Sequence, residues 1–524
     1  MKMVKSLVLG SAAGLVAMTG AQAADLPVKA KAVEYVRVCS LYGAGFFYIP
    51  GTDTCVKFGG YLRVDTTFNS SGTQDAPSWN GDSGQGNRYH DYFVTRSRLA
   101  FTVDTRTATE YGVVRTFGQA DFQFDTLGAG GTTNPNTLNT QLGNNANLLN
   151  SAGGGYTAVE LVFMQFAGFT FGKSASAYAT PWHGYPGNNS SNLLGGHDTV
   201  TGVSNIQYTA QFGNGVSGTI GLDDPTVFNR TSVYNLATGG TSIASLNAVG
   251  TAAQNAYAGV QAPDVVGNIR IDQAWGLFQI SAAAHEVDAS YNNLTGGLPN
   301  NLSEISGHPE TKWGGSVMGA LNIKNIPTGP GDDIKIDASY AKGDTKNVIA
   351  TSGASPSFAM FSGSGRAYQS VGFGATTDAV YLPASAGGDG SLHLTEAWGV
   401  RGAYNHNWDP YWSSSLFGSA SWVRYDGTAK TAYCNSYVAS TGGMAAKSAD
   451  FSCNPDFAVF QVGAITRWTP VKNLTFSAEV MYTRLDQNFT GTSTLTPSAP
   501  KPTAVYEYKD QDTVSFNVRA QRNF

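Results

Sequence analysis

The last twelve residues, TVSFNVRAQRNF (513–524), place Val514, Phe516, Val518, Ala520 and the terminal Phe524 on one face. Ser515, Asn517, Arg519, Gln521 and Asn523 fall on the other, and only Arg522 interrupts the apolar side. A period of two is that of an extended strand, whose successive side chains point to opposite sides. In a soluble sandwich the polar side would meet bulk water and carry more charge. A strand with lipid outside and a water-filled lumen inside fits the pattern as well.

Working back from the end, the same alternation returns. Leu474, Phe476, Ala478, Val480 and Tyr482 oppose Asn473, Thr475, Ser477, Glu479 and Thr483. Ile334, Ile336, Ala338 and Tyr340 oppose Lys335, Asp337 and Ser339, and Ile206, Tyr208, Ala210 and Phe212 oppose Asn205, Gln207, Thr209 and Gln211. Near the other end Phe58, Leu62, Val64 and Phe68 oppose Lys57, Tyr61, Arg63, Asp65 and Thr67. Sixteen spans are expected: 56–68, 92–104, 109–118, 157–166, 168–176, 201–212, 216–223, 266–274, 276–287, 313–325, 332–343, 394–407, 411–426, 457–469, 473–486 and 512–524. Alternation is ambiguous in 109–118 and 157–176, so the count leans on the even number that a closed antiparallel barrel requires.

The separators fall into two kinds. Asp104–Thr109, Ala167–Gly168, Gly213–Gly215, Trp275–Gly276, Asn325–Asp332, Asp409–Pro410 and Thr469–Lys472 are short. Those between them, 69–91, 119–156, 177–200, 224–265, 288–312, 344–393, 427–456 and 487–511, are long and rich in Gly, Asn, Ser and Thr. Transmembrane barrels alternate short turns with long external loops. The fold class expected is therefore all-β, a transmembrane antiparallel barrel.

Composition agrees. Only 13% of the 524 residues are charged and Gly accounts for 63 of them, against roughly 25% charged in soluble domains. A net charge of -5 argues against a nucleic-acid partner. At the start, MKMVKSLVLGSAAGLVAMTGAQA puts Lys2 and Lys5 before a short apolar run and a small-residue pattern at Ala21–Ala23. Residues 1–23 thus read as an export signal. Residues 24–55 form an N-terminal segment and 56–524 the barrel. Beyond the leader no run of eighteen apolar residues occurs, so any span must be made of strands.

The stretch VEYVRVCSLYGAGFFYIPGTDTCVKFGG (33–60), preceded by ADLPVKAKA, resembles the mature N-terminal signature of the outer-membrane porins of alphaproteobacteria, especially the rhizobial and Brucella-type group. The resemblance continues through SNIQYTAQFGNGVSGTIGLDD (204–224) to Phe524. It implies a sixteen-stranded, trimeric general-diffusion porin in the outer membrane, passing ions and small hydrophilic solutes, with an inward-folded constriction loop. It also implies a disulfide between Cys39 and Cys55, and an assembly signal that includes the terminal Phe524. Cys434 and Cys453, nineteen apart, would close an external loop.

Alternation puts Arg63, Arg96, Arg98, Arg270 and Arg401 opposite the apolar residues, as candidates for a basic pore wall. The bland reading is a solvated mouth or a pair buried against Asp65 or Asp272. The third long separator, SASAYATPWHGYPGNNSSNLLGGHD (174–198), stands where related porins fold a loop into the channel. It carries Tyr178, Trp182 and Tyr185, stiffened by Pro181 and Pro186, with Asp198 as its acid.

Nothing points to catalysis, a cofactor or a metal. The seven His residues form no compact ligand array, and acid pairs such as Asp223–Asp224 stand at turn boundaries. No nucleophile elbow is present. The expected function is passive passage. A substrate-selective channel or a surface-binding adhesin barrel is the alternative.

Overall fold

A computed structural model describes residues 37–69, 88, 92–125, 156–190, 200–238, 255–349, 357–497 and 501–524. The leader expected at 1–23 and Asp198 lie outside these residues. Two compact units are present, one ending at Val56 and the other running from Lys57 to Phe524.

In the first unit Cys39 and Cys55 are bonded, with 6.0 Å between Cα atoms. Phe46 is buried beside them, and Phe47–Tyr48 pairs antiparallel with Cys55 and Val56. The Arg37 guanidinium lies over the Tyr48 ring at 4.5 Å.

The second unit is built on a closed antiparallel barrel of sixteen strands. They are β1 (Thr54–Phe68), β2 (Phe93–Thr109), β3 (Gly112–Asp125), β4 (Tyr156–Phe166), β5 (Phe169–Ser174), β6 (Val203–Gly213), β7 (Val216–Asp223) and β8 (Asp264–Gln273). Then follow β9 (Gly276–Val287), β10 (Lys312–Lys324), β11 (Asp333–Lys342), β12 (Glu396–Asn407), β13 (Trp412–Arg424), β14 (Phe457–Val471), β15 (Leu474–Gln487) and β16 (Gln511–Asn523). Each pairs with its neighbour in sequence, and β16 returns to β1 in a register running from Tyr61↔Asn523 to Phe68↔Phe516.

Closure at that seam needs a residue without a side chain. Gly60 donates its N–H to the Phe524 carbonyl at 3.3 Å and accepts the Phe524 N–H at 3.1 Å. Its φ is +146°, and a Cβ there would sit 2.0 Å from the Ala100 carbonyl oxygen of β2. Gly is the residue that tolerates both.

The expected short connection at Asp104–Thr109 belongs instead to β2, and the turn is Glu110–Tyr111. The Thr109 hydroxyl donates to the Gly112 carbonyl at 2.7 Å and accepts the Tyr111 N–H at 3.3 Å, which moves the turn outward. β3 likewise runs past the expected end at 118, because Asp121 and Gln123 continue one face while Phe122 and Phe124 continue the other.

Outward-facing residues form the lipid surface. Leu62, Val64, Leu99, Phe101, Ile206, Ile220, Ile269, Ile280, Val317, Leu416 and Val462 are all exposed. Trp275, Trp408, Tyr411, Trp412 and Trp468 gather at the short-turn end, the amphipathic girdle expected where hydrocarbon meets headgroups. Among the described residues no helix is long and apolar enough to cross a membrane.

A uniformly polar lumen is not what the structure shows. Inward positions of β12–β15 carry a buried cluster of Ala403, Phe417, Ile465 and Met481. The long connections also depart from solvated polar loops. Ser357–Ser362, Gln369–Ala375, Thr492–Leu495 and Ala504–Tyr508 form one small sheet, and Ser232–Asn235, Thr377–Tyr381 and His393–Leu394 another. A helix, α1 (Gly427–Ser440), is capped by the Asp426 carboxylate, which accepts the Ala429 N–H at 2.8 Å.

These pieces share one apolar core. Phe358, Val371, Phe373, Tyr433, Tyr437, Phe489 and Tyr506 are buried together with the strand-end residues Val423, Phe457 and Leu485. The connections therefore build a folded cap rooted in the barrel rim. Cys434 of α1 is bonded to Cys453, and removing a cross-link of that span typically costs about 3 kcal/mol.

Gly60→Ala is expected to lose about 1–3 kcal/mol of stability through strain at the seam. Gly118→Ala, with open space around its Cβ, is expected to stay within about 0.5 kcal/mol of the parent. Urea unfolding of the two variants in lipid vesicles checks this, and equal midpoints would contradict the seam argument.

Candidate functional site

After β5 the chain turns into the barrel. Residues 175–190 cross the lumen and are held chiefly through their own backbone. Asn268 Nδ2 donates to the Ala177 carbonyl at 2.6 Å and Gln279 Nε2 to the Ala179 carbonyl at 2.7 Å. Further along, Asn405 Nδ2 donates to the Pro186 carbonyl at 3.1 Å and Arg467 Nη2 to the Gly187 carbonyl at 2.7 Å. At the tip, the Asn189 N–H reaches Glu479 Oε2 at 2.5 Å, its Nδ2 reaches Ser477 Oγ at 2.8 Å, and Arg519 Nη2 donates to its carbonyl at 3.3 Å. The segment therefore runs from β5, over β8, β9, β12 and β14, to β15 and β16.

Main-chain anchoring explains why this loop can tolerate an ordinary-looking sequence. Its buried amides and carbonyls are paired by wall side chains, as a segment shut away from bulk water requires. Gly187 sits where a Cβ would lie 2.6 Å from Ala403 Cβ and 2.6 Å from Asn405 Oδ1. Tyr178 and Trp182, expected to be bulky constriction residues, instead pack down on Val266, Met318 and Ala320 of the wall. Burial pushes the Tyr178 hydroxyl well above the ordinary range, with Asp344 and Asp337 adding to the effect, so it stays neutral. Tyr185 lines a cavity of about 330 Å³ with Lys335, Asn405, His406 and Arg467.

The arginines come together unequally. Beside the loop tip, Asp65 of β1 accepts from Arg96 Nη2 of β2 at 2.8 Å and from Arg519 Nε of β16. Arg63 Nε donates to Gln521 Oε1 at 2.8 Å. Arg98 pairs with Asp121 at 2.8 Å and lies 3.8 Å from Glu160. Arg96 and Asp65 are almost fully buried, whereas Arg98 keeps 12% of its side chain exposed.

Arg401 is a different case. It is buried against Asp337 at 2.8 Å, on the wall the loop covers. Arg270 faces Asp272 at 3.1 Å near the short-turn rim, where both are about two-fifths exposed. Neither joins the Arg63, Arg96 and Arg98 group. Removing one partner of a buried pair such as Asp337–Arg401 typically costs about 3–5 kcal/mol.

Several groups were not singled out from the sequence: Arg467, Arg519, Arg106 and Arg115, and the acids Asp121, Glu160 and Glu479. Alternation does place Arg519 and Arg467 opposite lipid-facing Val518 and Trp468. What it could not supply is the loop that turns these two from wall charges into loop anchors. The acids that balance the arginines lie on the barrel wall, with Asp198 outside the described residues.

The arrangement leaves a two-sided lumen. Ser281, Ser316, Met318, Asp337, Ser339 and Arg401 are all buried on β9–β12. On β1–β4, by contrast, Arg63, Arg98, Thr102, Arg115, Gln119 and Gln165 stay partly exposed. Partly exposed charge lines one side of the barrel, and packed side chains line the other.

The description Porin subfamily belongs to the family whose sequence model matches residues 25–517. The chain is similar to Porin Omp2b of Brucella abortus (strain 2308), 34% identical over 276 residues, which is 52% of this chain and 63% of that protein. Porin Omp2b of Brucella suis biovar 1 (strain 1330) is 33% identical over 280 residues. The match thus spans less than two thirds of those relatives' length. Among solved structures, the outer membrane channel DcaP of Acinetobacter baumannii has a TM-score of 0.54 at 14% identity, covering 91% of this chain and 99% of that one. That likeness concerns the fold.

Glu479→Ala is expected to free the loop tip, since it strips the acceptor from a buried Asn189 N–H, a loss typically worth about 1–3 kcal/mol. Single-channel current should then flicker among levels. Glu479→Gln keeps an acceptor oxygen and should hold one steady level. Indistinguishable traces from the parent and both variants would contradict the anchoring role.

Proposed function

The chain belongs to the porin subfamily, and from that premise we propose that it forms a water-filled passive channel for ions and small hydrophilic solutes in the bacterial outer membrane. The observation that carries this reading is the two-sided lumen. A row of partly exposed polar and charged side chains, Arg63, Arg98, Thr102, Arg115, Gln119 and Gln165, lines part of the β1–β4 wall, beside a loop fixed by its backbone. Passage along such a wall needs no reaction, cofactor or metal, and no enzymatic role is proposed.

Selectivity on this reading comes from charges held in place. Three guanidiniums, Arg63, Arg96 and Arg519, surround the Asp65 carboxylate, so that level of the wall is net positive. Lower, Arg98 stands against Asp121 and Glu160. Fixed charges in a narrow passage with low-dielectric walls act on solutes more strongly than the same charges on an open surface. A modest preference is expected in place of one obligatory substrate. Homotrimer assembly is proposed from the family resemblance.

One observation favours the rival reading of a substrate-selective channel: apolar clusters and the cap occupy part of the lumen that a sixteen-strand barrel would otherwise leave open. Solute size decides between the two. Liposomes carrying the protein should swell in uncharged small sugars, more slowly as the sugar grows, and a lack of swelling in all of them would overturn general diffusion. Arg98→Gln should shift the reversal potential in a salt gradient toward cations. An unchanged potential would remove Arg98 from the passage.

A further inference from the structure

Two phenylalanines stand where the lumen should be polar. On β3, Arg115, Phe117, Gln119, Asp121 and Gln123 share the inward face, and on β4 the register sets Phe163 directly beside Phe117. The two rings stack with centroids 5.3 Å apart at 27°. Unlike the buried Met318 or Phe417, both remain partly exposed. Their placement on the polar face is also what blurs the alternation in these two strands.

The neighbouring rows supply charge. Arg106 of β2 and Arg115 of β3 both hold Asp104, at 3.0 and 3.1 Å, so two guanidiniums share one carboxylate and leave one unit of positive charge. Arg115 lies 5.2 Å from the Phe117 centroid and 5.4 Å from that of Phe163. Its Nη1 donates to Gln165 Oε1 at 2.9 Å, and Gln165 Nε2 donates to Thr170 Oγ1 at 3.1 Å, which fixes the guanidinium beside the rings. On the far side of Phe163 the register places Gly172, with no side chain, and then Asn205. The side chains of Arg106, Arg115 and Asp104 stay roughly a tenth to a third exposed.

We propose that this patch is a binding subsite for small aromatic carboxylates passing through the channel. The stacked phenyl pair offers an aryl ring an edge or offset face, and the Arg106–Arg115 pair takes the carboxylate. A purely aliphatic acid would find the charge without the ring contact. A neutral aromatic would find the ring without the charge. The subsite rests on the channel reading above, since a solute must reach the lumen to meet it.

The test is current block in planar bilayers, with benzoate as probe and acetate and benzyl alcohol as comparisons, each read as a fraction of that channel's own potassium chloride conductance. Benzoate should block saturably at the lowest concentration of the three. Phe163→Leu keeps apolar bulk and removes the ring. It should raise the half-blocking benzoate concentration by roughly three- to tenfold, the scale of one aromatic pair, and Arg115→Gln should also raise it. Equal block by benzoate and acetate, or an unchanged half-blocking concentration in Phe163→Leu, would overturn the subsite. A barrel that is silent in potassium chloride would instead overturn the channel reading. Saturation-transfer NMR of benzoate on the micellar protein would then decide the subsite alone, with signal lost in Phe163→Leu if it stands and retained if it falls.

Discussion

Every backbone N–H and C=O of this barrel that faces hydrocarbon must be paired within the protein, because lipid offers no partner and each orphan costs several kcal/mol. The pairing of β16 with β1 is where that demand is met last. Phe524 and Gly60 exchange both of their backbone hydrogen bonds there, and the ladder from Tyr61↔Asn523 to Phe68↔Phe516 pairs two strand edges that would otherwise face lipid. Sheet closure in turn fixes which residues look outward and which inward. The lumen charges, the loop anchors and the cap roots all inherit their positions from it.

A barrel of this width encloses more space than its own side chains fill. The loop after β5 and the cap occupy part of it, and each does so by a different means. The loop brings few side-chain charges of its own and presents amides and carbonyls to wall residues, among them Glu479, Arg467 and Arg519. The cap brings a true apolar core with a disulfide and a capped helix. One consequence is that the same class of wall residue meets two environments: Arg98 stays partly exposed on the lumen face, while Arg401 is shut beneath the loop against Asp337.

Much of the barrel was readable from alternation alone. Strand β7 and strand β9 match their expected limits residue for residue, at 216–223 and 276–287. The weak spots have local causes. β2 ran past Asp104 because Thr109, through its hydroxyl, closes the turn later than the expected Asp104–Thr109 separator. β3 and β4 were ambiguous because Phe117 and Phe163 sit on the lumen face. The site was less legible. Period two tells inward from outward, yet it carries no information on what lies across the lumen, so Arg63, Arg98 and Arg401 looked alike until a loop covered one wall. The cap was hidden for a related reason: Phe358, Phe373, Tyr437 and Tyr506 lie far apart in sequence and meet only once the strands bring their connections together.

The central claim is that water and solutes pass along the β1–β4 wall and not beneath the loop. Both native cysteine pairs are oxidised and no free thiol is present among the described residues, so single introduced cysteines report on access. Gln119→Cys and Ser339→Cys, treated with a charged water-soluble thiosulfonate during single-channel recording, test the claim most directly. The predicted result is a stepwise fall in current for Gln119→Cys and none for Ser339→Cys. Equal reaction at both positions, or reaction at Ser339→Cys alone, would contradict it.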